Sequence, residues 1–262
     1  MRYLSLCAIA KNENDYLNEW VAYHLAVGIE HFYIYDNEST IPVRDTLKPY
    51  IDDGTVEVID FPGRGKQIPA YNHCLAHFGN QSRWIAVIDC DEFINPKAKD
   101  DVKVILQDYH NFSGLGVNWI IFGHNDHQTR PQGLVMENYT KASPKGWKEN
   151  RHIKSIIQPK YTLKDAGDPH HFIYKVGFCV DENKKPVAEP WCDNTTNIIQ
   201  INHYFSKSLE EYKTIKLARP RADVNTTETA RKLSEFYDFG AQCTIEDKSI
   251  LRFVDKTKSL MK

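Results

Sequence analysis

Residues 84–93 read WIAVIDCDEF, a nearly unbroken apolar run that ends in three acidic side chains. The first five residues have the length and apolar character of a strand that is buried on both faces of a parallel sheet. Asp89, Asp91 and Glu92 follow this strand directly. Ligands in open α/β sheets bind beyond the carboxyl ends of the strands. The stretch therefore predicts a buried strand that leads into a D-x-D pair of carboxylates at a binding site.

The residues before this stretch alternate between strand and helix patterns. Apolar runs at 3–10, 32–35 and 55–61 predict three more buried strands, and helical spacing of apolar residues at 17–28 and 67–78 predicts helices between them. Strands that alternate with helices indicate βαβ units with right-handed crossovers. The predicted fold class is α/β, with a mostly parallel central sheet flanked by helices.

The alternation fades after the fourth strand. Residues 123–157 are polar and aromatic, with Gly and Pro throughout, and are expected to form a long active-site loop region. Ser208 and Glu211 form a capping-box pattern that opens a helix, and Pro220 would end it. The further predicted elements are helices over 101–109 and 209–218 and a strand over 116–122.

Composition and charge bound the function. The 262 residues carry 33 Lys and Arg against 35 Asp and Glu, so no nucleic-acid partner is expected. The six cysteines show no C-x-x-C or zinc spacing, which predicts core thiols in a reducing compartment. No signal peptide and no apolar run of roughly 20 residues is visible. A glycan at Asn37 of the triplet Asn37-Glu38-Ser39 would obstruct a site motif, so we expect a cytoplasmic protein.

The D-x-D pair has a chemical interpretation and a structural alternative. Because side chains alternate along extended chain, Asp89 and Asp91 lie on the same side. Oxygen ligands select hard cations such as Mn²⁺ or Mg²⁺, which also bind phosphate oxygens and stabilise a departing diphosphate. Alternatively, Asp89, Asp91 and Glu92 only begin a loop, since carboxylates are common in turns. Their position after a buried strand favours a site.

Several blocks in a fixed order resemble glycosyltransferase family 92, an A-type nucleotide-sugar glycosyltransferase family. The blocks are KNENDYLNEWVAYHLAVGIEHFYIYDNES, QIPAYNHCL, WIAVIDCDEFI, WIIFGHNDHQTRPQGLVMENYT, KSIIQP, the His170-His171 pair and INHYFSKSLEEY. The resemblance runs from about Leu4 to Tyr212 and covers most of the chain. It implies an A-type, Rossmann-like fold, a nucleotide diphosphate sugar donor, commonly UDP-galactose, and transfer to a glycan with inversion.

The resemblance also implies a manganese ion at the D-x-D motif. Asp91 would bind the metal directly, and Asp89 would contact the metal, its water shell or the ribose. His203 matches the late histidine that often completes the metal site in A-type folds. On its own, His203 would be interpreted as a buried, hydrogen-bonded histidine. Manganese accepts imidazole beside carboxylate, and the resemblance favours the ligand.

Donor contacts are expected at the strand ends and on the helix before the fourth strand. Lys11, Asn12, Glu13 and Asp36 end strands where these enzymes hold the base and ribose. Each could instead cap a helix or form a turn, and Asn12 could serve both ways. The Lys154 ammonium could neutralise the departing diphosphate. The full set of candidate donor contacts is Lys11, Asn12, Glu13, Asp36, Gln67, Tyr71, Asn72, Asp89 and Lys154, of which Tyr71 could be a core residue.

An inverting transfer needs a general base that takes the proton of the acceptor hydroxyl. Asp126 is the first candidate because a strand end followed by a loop suits an acceptor site, although it could equally cap a turn. Asp168 and Glu92 are the other candidates. His170 and His171 are expected to line the acceptor pocket or to assist the metal site, and a structural role is expected for one of them.

The sequence thus predicts a metal-dependent glycosyltransferase that uses a UDP-sugar, with a saccharide or lipid-linked glycan acceptor in bacterial surface polysaccharide synthesis. The alternatives are a metal-dependent phosphoesterase, which would need several Asp and His around two metals, and a glycan-binding module with a vestigial metal site. The expected divisions are one glycosyltransferase domain over 1–218, with a nucleotide-sugar half over 1–95 and an acceptor half over 96–218, and a C-terminal helical extension over 219–262.

Peripheral contact with the inner membrane would use the C-terminal segment. Basic amphipathic segments can lie on anionic lipid, and an ordinary helix with a charged outer face is the alternative. The residues concerned are Lys248, Arg252, Lys256, Lys258 and Lys262, interleaved with Leu251, Phe253 and Val254.

Overall fold

The computed structural model describes residues 1–163, 167–218 and 231–262. In these ranges the strands are β1 (Arg2–Ala10), β2 (His31–Asp36), β3 (Val56–Asp60), β4 (Ser82–Val87), β5 (Glu92–Pro96), β6 (Gly114–Ile121), β7 (Lys141–Ala142), β8 (Ile153–Ile157), β9 (Cys179–Val180), β10 (Pro186–Val187), β11 (Ile199–His203) and β12 (Ile245–Glu246). The helices are α1 (Asn14–Ala26), α2 (Val43–Thr46), α3 (Lys48–Asp52), α4 (Gln67–Phe78), α5 (Val102–Gln107), α6 (Val135–Asn138), α7 (Leu209–Glu211), α8 (Leu233–Gln242) and α9 (Val254–Leu260). A π-helix, Tyr212–Lys216, continues α7.

Four parallel strands form one half of the central sheet, in the order β3-β2-β1-β4. The side chains of β1 alternate between two apolar layers, as the period of two in a strand requires. Leu6 and Ala8 pack in the layer that contains Trp20 of α1. Cys7 packs in the layer that contains Tyr71 of α4. This arrangement confirms the predicted α/β fold, and the carboxyl ends of all four strands lie at one edge.

The other half of the sheet is mixed. β8 lies between β4 and β6 and runs antiparallel to both, so the loop predicted over 123–157 is wrong for Ile153–Ile157, as it is for α6 and β7. Lys154 and Ser155 interrupt the apolar run of β8 and hide its strand character. Both are buried because Lys154 pairs with Asp89 and the Ser155 hydroxyl donates to the His170 carbonyl.

The D-x-D motif lies in the short turn between β4 and β5. Glu92 begins β5, which pairs with β11 so that Glu92 lies opposite His203. β11 also runs parallel to β6. The backbone N–H of Tyr204 donates to the Asp91 carbonyl, 2.9 Å away. This pairing places His203 beside Asp91, although 112 positions separate them along the chain.

The described C-terminal residues pack against the rest of the domain. Ile250 and Phe253 belong to the main apolar core, and α9 lies against α1. The Lys256 ammonium donates to the Ala26 carbonyl, 2.7 Å away. The structure therefore favours the ordinary helix with a charged outer face over a membrane-binding surface in this segment.

The capping box is confirmed, since the Ser208 hydroxyl accepts from the Glu211 N–H and the Glu211 carboxylate accepts from the Ser208 N–H. The predicted helix end at Pro220 and the start of the C-terminal extension at 219 lie outside the described residues. The predicted core thiols are also confirmed, because the six cysteines are free and five are buried. Over the described ranges, none of the helices is long and apolar enough to cross a membrane.

Candidate functional site

A cleft of about 630 Å³ opens at the carboxyl ends of β1 and β4. One wall comes from the parallel half of the sheet, and the other comes from β6, β11 and the chain that follows them. The residues of the first wall include Lys11, Glu13, Asn37, Glu38, Gln67, Asp89 and Asp91. Those of the second include Trp119, Glu149, His152, His170, His203, Phe205, Lys216 and Arg231. The cleft thus lies where the sequence predicted it, at the edge that collects the strand ends.

Asp89 is held by three side chains. Its Oδ1 accepts from the Gln67 amide at 2.7 Å and from the Tyr71 hydroxyl at 3.1 Å. Its Oδ2 accepts from the Lys154 ammonium at 2.9 Å. Burial would raise the pKa of Asp89, but Lys154 outweighs it and lowers the pKa below its usual value. Asp89 is therefore an ionised carboxylate in a fixed orientation at the cleft wall.

Lys154 lies behind Asp89 and does not line the cleft. Its side chain is 1% exposed, and its ammonium is 3.7 Å from the Glu92 carboxylate. Burial alone would lower the pKa of Lys154, but Asp89 and Glu92 raise it to about 12. Glu92 is fully buried and accepts from the Asp89 N–H at 2.8 Å. Lys154, the predicted diphosphate contact, therefore does not reach the cleft. Glu92, one of the candidate bases, does not reach it either.

Asp91 meets two cationic or metal-binding groups in the cleft. The Lys216 ammonium donates to Asp91 Oδ2 at 2.5 Å, and His203 Nε2 is 3.6 Å from the same oxygen. Burial would raise the pKa of Asp91, but Lys216 and His203 hold it well below its usual value. Burial lowers the pKa of His203, which leaves a neutral imidazole.

Asp91 and His203 fit the role of metal ligands, because an ionised carboxylate oxygen and a neutral imidazole nitrogen lie 3.6 Å apart at the cleft wall. Asp89, the third predicted ligand, lies at the same cleft wall, where its two oxygens accept from Gln67, Tyr71 and Lys154. Across the described ranges, no three His, Cys, Asp or Glu side chains group into a metal site. Mg²⁺ and similar hard cations are often bound by one or two carboxylates and completed by substrate phosphates and water. The residues present suit that kind of site.

The predicted donor contacts divide into two groups. Lys11, Glu13, Gln67 and Asp89 line the cleft, whereas Asn12, Asp36, Tyr71, Asn72 and Lys154 do not. The Asp36 carboxylate accepts from the backbone N–H groups of Ser39 and Val43 at 3.0 and 2.9 Å. The Asn12 amide oxygen accepts from the Thr40 N–H at 2.7 Å. Both residues therefore shape the loop after β2, whose Asn37 and Glu38 face the cleft instead.

The predicted acceptor histidines point in different directions. His170 lines the cleft and donates from Nδ1 to the Ile153 carbonyl, and burial lowers its pKa to about 3. His171 donates from Nε2 to the Val187 carbonyl, outside the cleft lining. The Asp168 carboxylate accepts from the N–H groups of both histidines, at 2.7 and 3.2 Å. Asp168 is therefore a turn former that positions His170, rather than a base in the cleft.

Asp126, the first candidate base, lies outside the cleft in a separate shallow depression. Its side chain is 76% exposed and pairs with the Lys141 ammonium at 2.8 Å. The hydrogen bond from Lys141 lowers the pKa of Asp126, which makes it a weaker base. Its φ of 64° is typical of a turn position. Asp126 therefore occupies a turn position, and its carboxylate pairs with Lys141 outside the cleft.

Sequence reasoning missed several cleft residues. Trp119 stacks on His152, with ring centroids 5.0 Å apart, and lies 4.4 Å from the ring of His203. Lys216 could have been found, because it lies four positions after Tyr212 on one face of the helix that the capping box opens. Tyr212 and Lys216 are indeed both buried. The other missed residues include Glu149, Arg231 and Glu235, for which no motif gave a signal.

Comparison with known proteins identifies relatives of this arrangement. Residues 3–233 match the family model of glycosyltransferase family 92. A family 92 protein of Oryza sativa subsp. japonica is 26% identical over 223 residues, which cover 80% of this chain and 34% of that protein. One of Ricinus communis is 27% identical over 218 residues, covering 80% of this chain and 36% of that protein. The chain spans about a third of the length of these relatives.

Among solved structures, the chain is similar to S. aureus TarS in complex with UDP-GlcNAc. The TM-score is 0.41 and the identity 17%, with 66% of this chain and 49% of that chain covered. The match of the family model over most of the residues is consistent with the α/β sheet and with the order of the sequence blocks. The chain belongs to glycosyltransferase family 92.

Proposed function

We propose that the protein transfers a sugar from a nucleoside diphosphate donor to a saccharide acceptor, and that the reaction takes place in the cleft. The observation that carries this proposal is the ionised Asp91 beside His203 at the carboxyl end of β4, in a chain of glycosyltransferase family 92. Such an edge is where open α/β sheets bind nucleotides. The cleft volume of about 630 Å³ lies within the range typical of small-molecule sites.

The donor that we infer is a UDP-sugar, with galactose as the transferred sugar. A galactan β-1,4-galactosyltransferase of Arabidopsis thaliana is 26% identical to this chain over 107 residues, which supports the choice of galactose. Those residues cover 37% of this chain and 21% of that protein. The first wall of the cleft, which we assign to the donor and call the donor wall, provides hydrogen-bonding groups. They belong to Lys11 and Glu13 at the end of β1 and to Gln67 and Asp89. Asp89 is the member of this group that is fixed firmly enough to orient a ribose hydroxyl.

Mn²⁺ or Mg²⁺ is the proposed cofactor, held by Asp91 and His203. When bound, such an ion acts as a Lewis acid that stabilises the charge on a leaving diphosphate. The protein contributes the ionised carboxylate, the neutral imidazole and a partly buried site in which electrostatic interactions are stronger than in water. Lys154 acts indirectly, because its ammonium keeps Asp89 ionised and oriented from behind.

Glu149 is the general base that we propose for an inverting transfer. The other described cleft carboxylates have other assignments: Asp89 and Asp91 pair with lysines at the proposed donor and metal site, and Glu38 lies on the same wall as Asp89. Glu13 pairs with Lys207, and Glu235 accepts from the Tyr212 hydroxyl. The ion-pair partner of Glu149 is Lys148, at 3.7 Å, whose side chain is 83% exposed. Glu149 also lies next to the aromatic pair Trp119 and His152. Its backbone carbonyl accepts from the His152 ring, which stacks on Trp119. Trp119 and His152 offer the flat surface on which a sugar ring can lie.

The acceptor that we infer is a glycan or a lipid-linked saccharide. A bacterial surface polysaccharide pathway, a cytoplasmic location and peripheral membrane contact stay predictions from the sequence. The phosphoesterase alternative needs a fuller ligand set than the described residues gather. The transfer assay described next distinguishes the glycan-binding alternative from the enzyme.

The test is a transfer assay with UDP-galactose, Mn²⁺ and a panel of oligosaccharides, in which release of UDP and the anomeric configuration of the product are measured by NMR. We expect acceptor-dependent UDP release and an inverted linkage, both lost in Asp91→Asn. Sugar binding without UDP release would support the glycan-binding module instead. Hydrolysis of a simple phosphodiester without an acceptor would support the phosphoesterase.

A further inference from the structure

Lys216 occupies an unusual position for a lysine. Its ammonium is nearly buried and donates to Asp91 Oδ2 at 2.5 Å, on the same oxygen that faces His203. It also lies over the Phe205 ring, 4.6 Å from the centroid. The residue ends the π-helix Tyr212–Lys216, and such helices are frequent at functional sites. The described contacts thus place a side-chain cation on the carboxylate to which we assign the metal.

A divalent cation and this ammonium compete for one oxygen. A metal bound to Asp91 Oδ2 at about 2.0–2.2 Å would lie within a few ångströms of the Lys216 nitrogen. Like charges at such a distance repel strongly in a partly buried site. Lys216 must therefore leave Asp91 when a metal arrives, and the metal affinity is reduced by the free energy that this ion pair contributes.

The displaced ammonium needs an anion. Lys216 and Arg231 both line the cleft, and the Arg231 guanidinium donates to the Lys216 carbonyl at 3.3 Å. Two cationic side chains at one end of the cleft suit a doubly charged group such as a diphosphate. A donor that binds there offers Lys216 a new partner at the moment when the metal takes its old one.

We propose that Lys216 and the divalent metal exchange on Asp91, and that the donor diphosphate favours the exchange by binding the displaced ammonium. Metal and nucleotide then bind cooperatively: each binds weakly alone and tightly in the presence of the other. This inference rests on the metal site at Asp91 and His203 in the proposed function. It assigns Lys216 a positioning role, through which an empty site keeps Asp91 paired and a loaded site gains a phosphate contact.

The experiment measures free Mn²⁺ by electron paramagnetic resonance during titration of the protein, without and with saturating UDP. In the wild type we expect UDP to tighten Mn²⁺ binding by about 5–150-fold, the usual range of coupling between two ligands. In Lys216→Met, which keeps an unbranched apolar side chain one atom shorter and removes the charge, Mn²⁺ should bind about tenfold tighter without UDP. The effect of UDP should then shrink to a few-fold.

Lys141→Met is the control that removes a lysine charge elsewhere. The Lys141 ammonium pairs with Asp126 at 2.8 Å, outside the cleft. This variant should keep the UDP effect of the wild type. Lys216→Gln provides a second test if the methionine variant fails to fold, as judged by circular dichroism.

The outcomes separate this inference from the function on which it rests. Equal Mn²⁺ affinity and equal coupling in wild type and both Lys216 variants would overturn the exchange and leave the metal site intact. UDP binding without any Mn²⁺ binding in the wild type would overturn the metal site itself, and the exchange with it. Tighter metal binding with reduced coupling in the Lys216 variants alone would support the exchange.

Discussion

Asp89 and Asp91 are two positions apart, yet their surroundings prepare them for different tasks. Asp89 is fixed by Gln67, Tyr71 and Lys154, so its carboxylate has a set orientation at the cleft wall. Asp91 accepts through one oxygen from the Lys216 ammonium. A sequence reader treats the two carboxylates of a D-x-D motif as a pair. Their hydrogen-bond partners differ, since three side chains orient Asp89 whereas Asp91 pairs with Lys216 beside His203.

The first prediction at the scale of a residue concerns Glu149. Glu149→Gln keeps the shape of the side chain and removes its basicity, so kcat should fall by about 10²–10⁴-fold, the range typical of a general base. The Kd for UDP should stay within a few-fold, because the donor wall is unchanged. Steady-state kinetics and calorimetry measure the two quantities.

Asp126→Asn is the matched control for Glu149, since Asp126 lies outside the cleft and pairs with Lys141. It should leave kcat within about twofold. A large loss of kcat in Asp126→Asn, with Glu149→Gln active, would reverse the assignment and restore the base that the sequence alone suggested.

At the scale of elements, β8 connects the two halves of the sheet and carries Lys154 to the carboxylates behind the cleft. Its insertion between β4 and β6 is what the sequence concealed, because a lysine and a serine stand in the middle of five residues. The pairing of β5 with β11 is a second contact between segments that are distant in the sequence, and it brings His203 next to Asp91. Neither pairing leaves a local signal, since both join segments that are far apart in the chain.

Lys154→Met tests the role of this strand. The methionine keeps the apolar stem but leaves Asp89 and buried Glu92 without their cation, so the free energy of unfolding should fall by about 3 kcal/mol. Lys141→Met removes an exposed pair with Asp126 and should change it by less than about 1 kcal/mol. Urea denaturation measures both. Unchanged stability with a large loss of UDP affinity would instead make Lys154 a direct diphosphate contact.

Glu19 of α1 binds the start of α6, and its raised pKa predicts that the free energy of unfolding depends on pH. Its carboxylate accepts from the N–H groups of Val135 and Met136, and burial raises its pKa to about 7. The folded state therefore holds a proton that the unfolded state loses near pH 4.5, so this group makes the protein less stable as pH rises from about 4.5 to 7. The shift corresponds to about 3 kcal/mol.

Glu19→Gln removes this titration. The free energy of unfolding of the variant, relative to wild type, should rise by about 2–3 kcal/mol between pH 5 and pH 8. Urea denaturation at the two pH values measures it, with Glu57→Gln on the exposed face of β3 as a control that should show a flat difference. A pH-independent difference for Glu19→Gln would show that the buried carboxylate ionises normally.

At the scale of the whole molecule, the local and sequential features were predictable and the distant pairings were not. The strands at 3–10, 32–35 and 55–61, the helix at 67–78 and the D-x-D turn follow from apolar periodicity and are present in the structure. His203 was found through the family resemblance. Glu149 and Trp119 were missed because burial and orientation, rather than residue type, bring them to the cleft. Lys216 had a sequence signal in its spacing from Tyr212 on the capped helix, but nothing in that spacing indicates a contact with Asp91.

The C-terminal segment is part of the packed molecule, and Phe253 tests this. Phe253 lies in the main core beyond the residues that match the family model. Phe253→Ala should lower the free energy of unfolding by about 3–5 kcal/mol, because it leaves a cavity between α9 and the core. Ile245→Ala, at a side chain that is 51% exposed, should cost less than about 1 kcal/mol. Equal, small effects in denaturation experiments would mean that the segment is only loosely attached.

The central claim is that the cleft binds a nucleotide diphosphate through a metal on Asp91. Calorimetric titration of UDP into the purified protein, first with Mn²⁺ and then with EDTA, tests it most directly, with Asp91→Asn as the control. We expect UDP to bind with Mn²⁺ and at least about tenfold more weakly in EDTA or in Asp91→Asn, since one buried ligand contact is worth more than about 1.4 kcal/mol. No binding of UDP to the wild type in either condition would contradict the account.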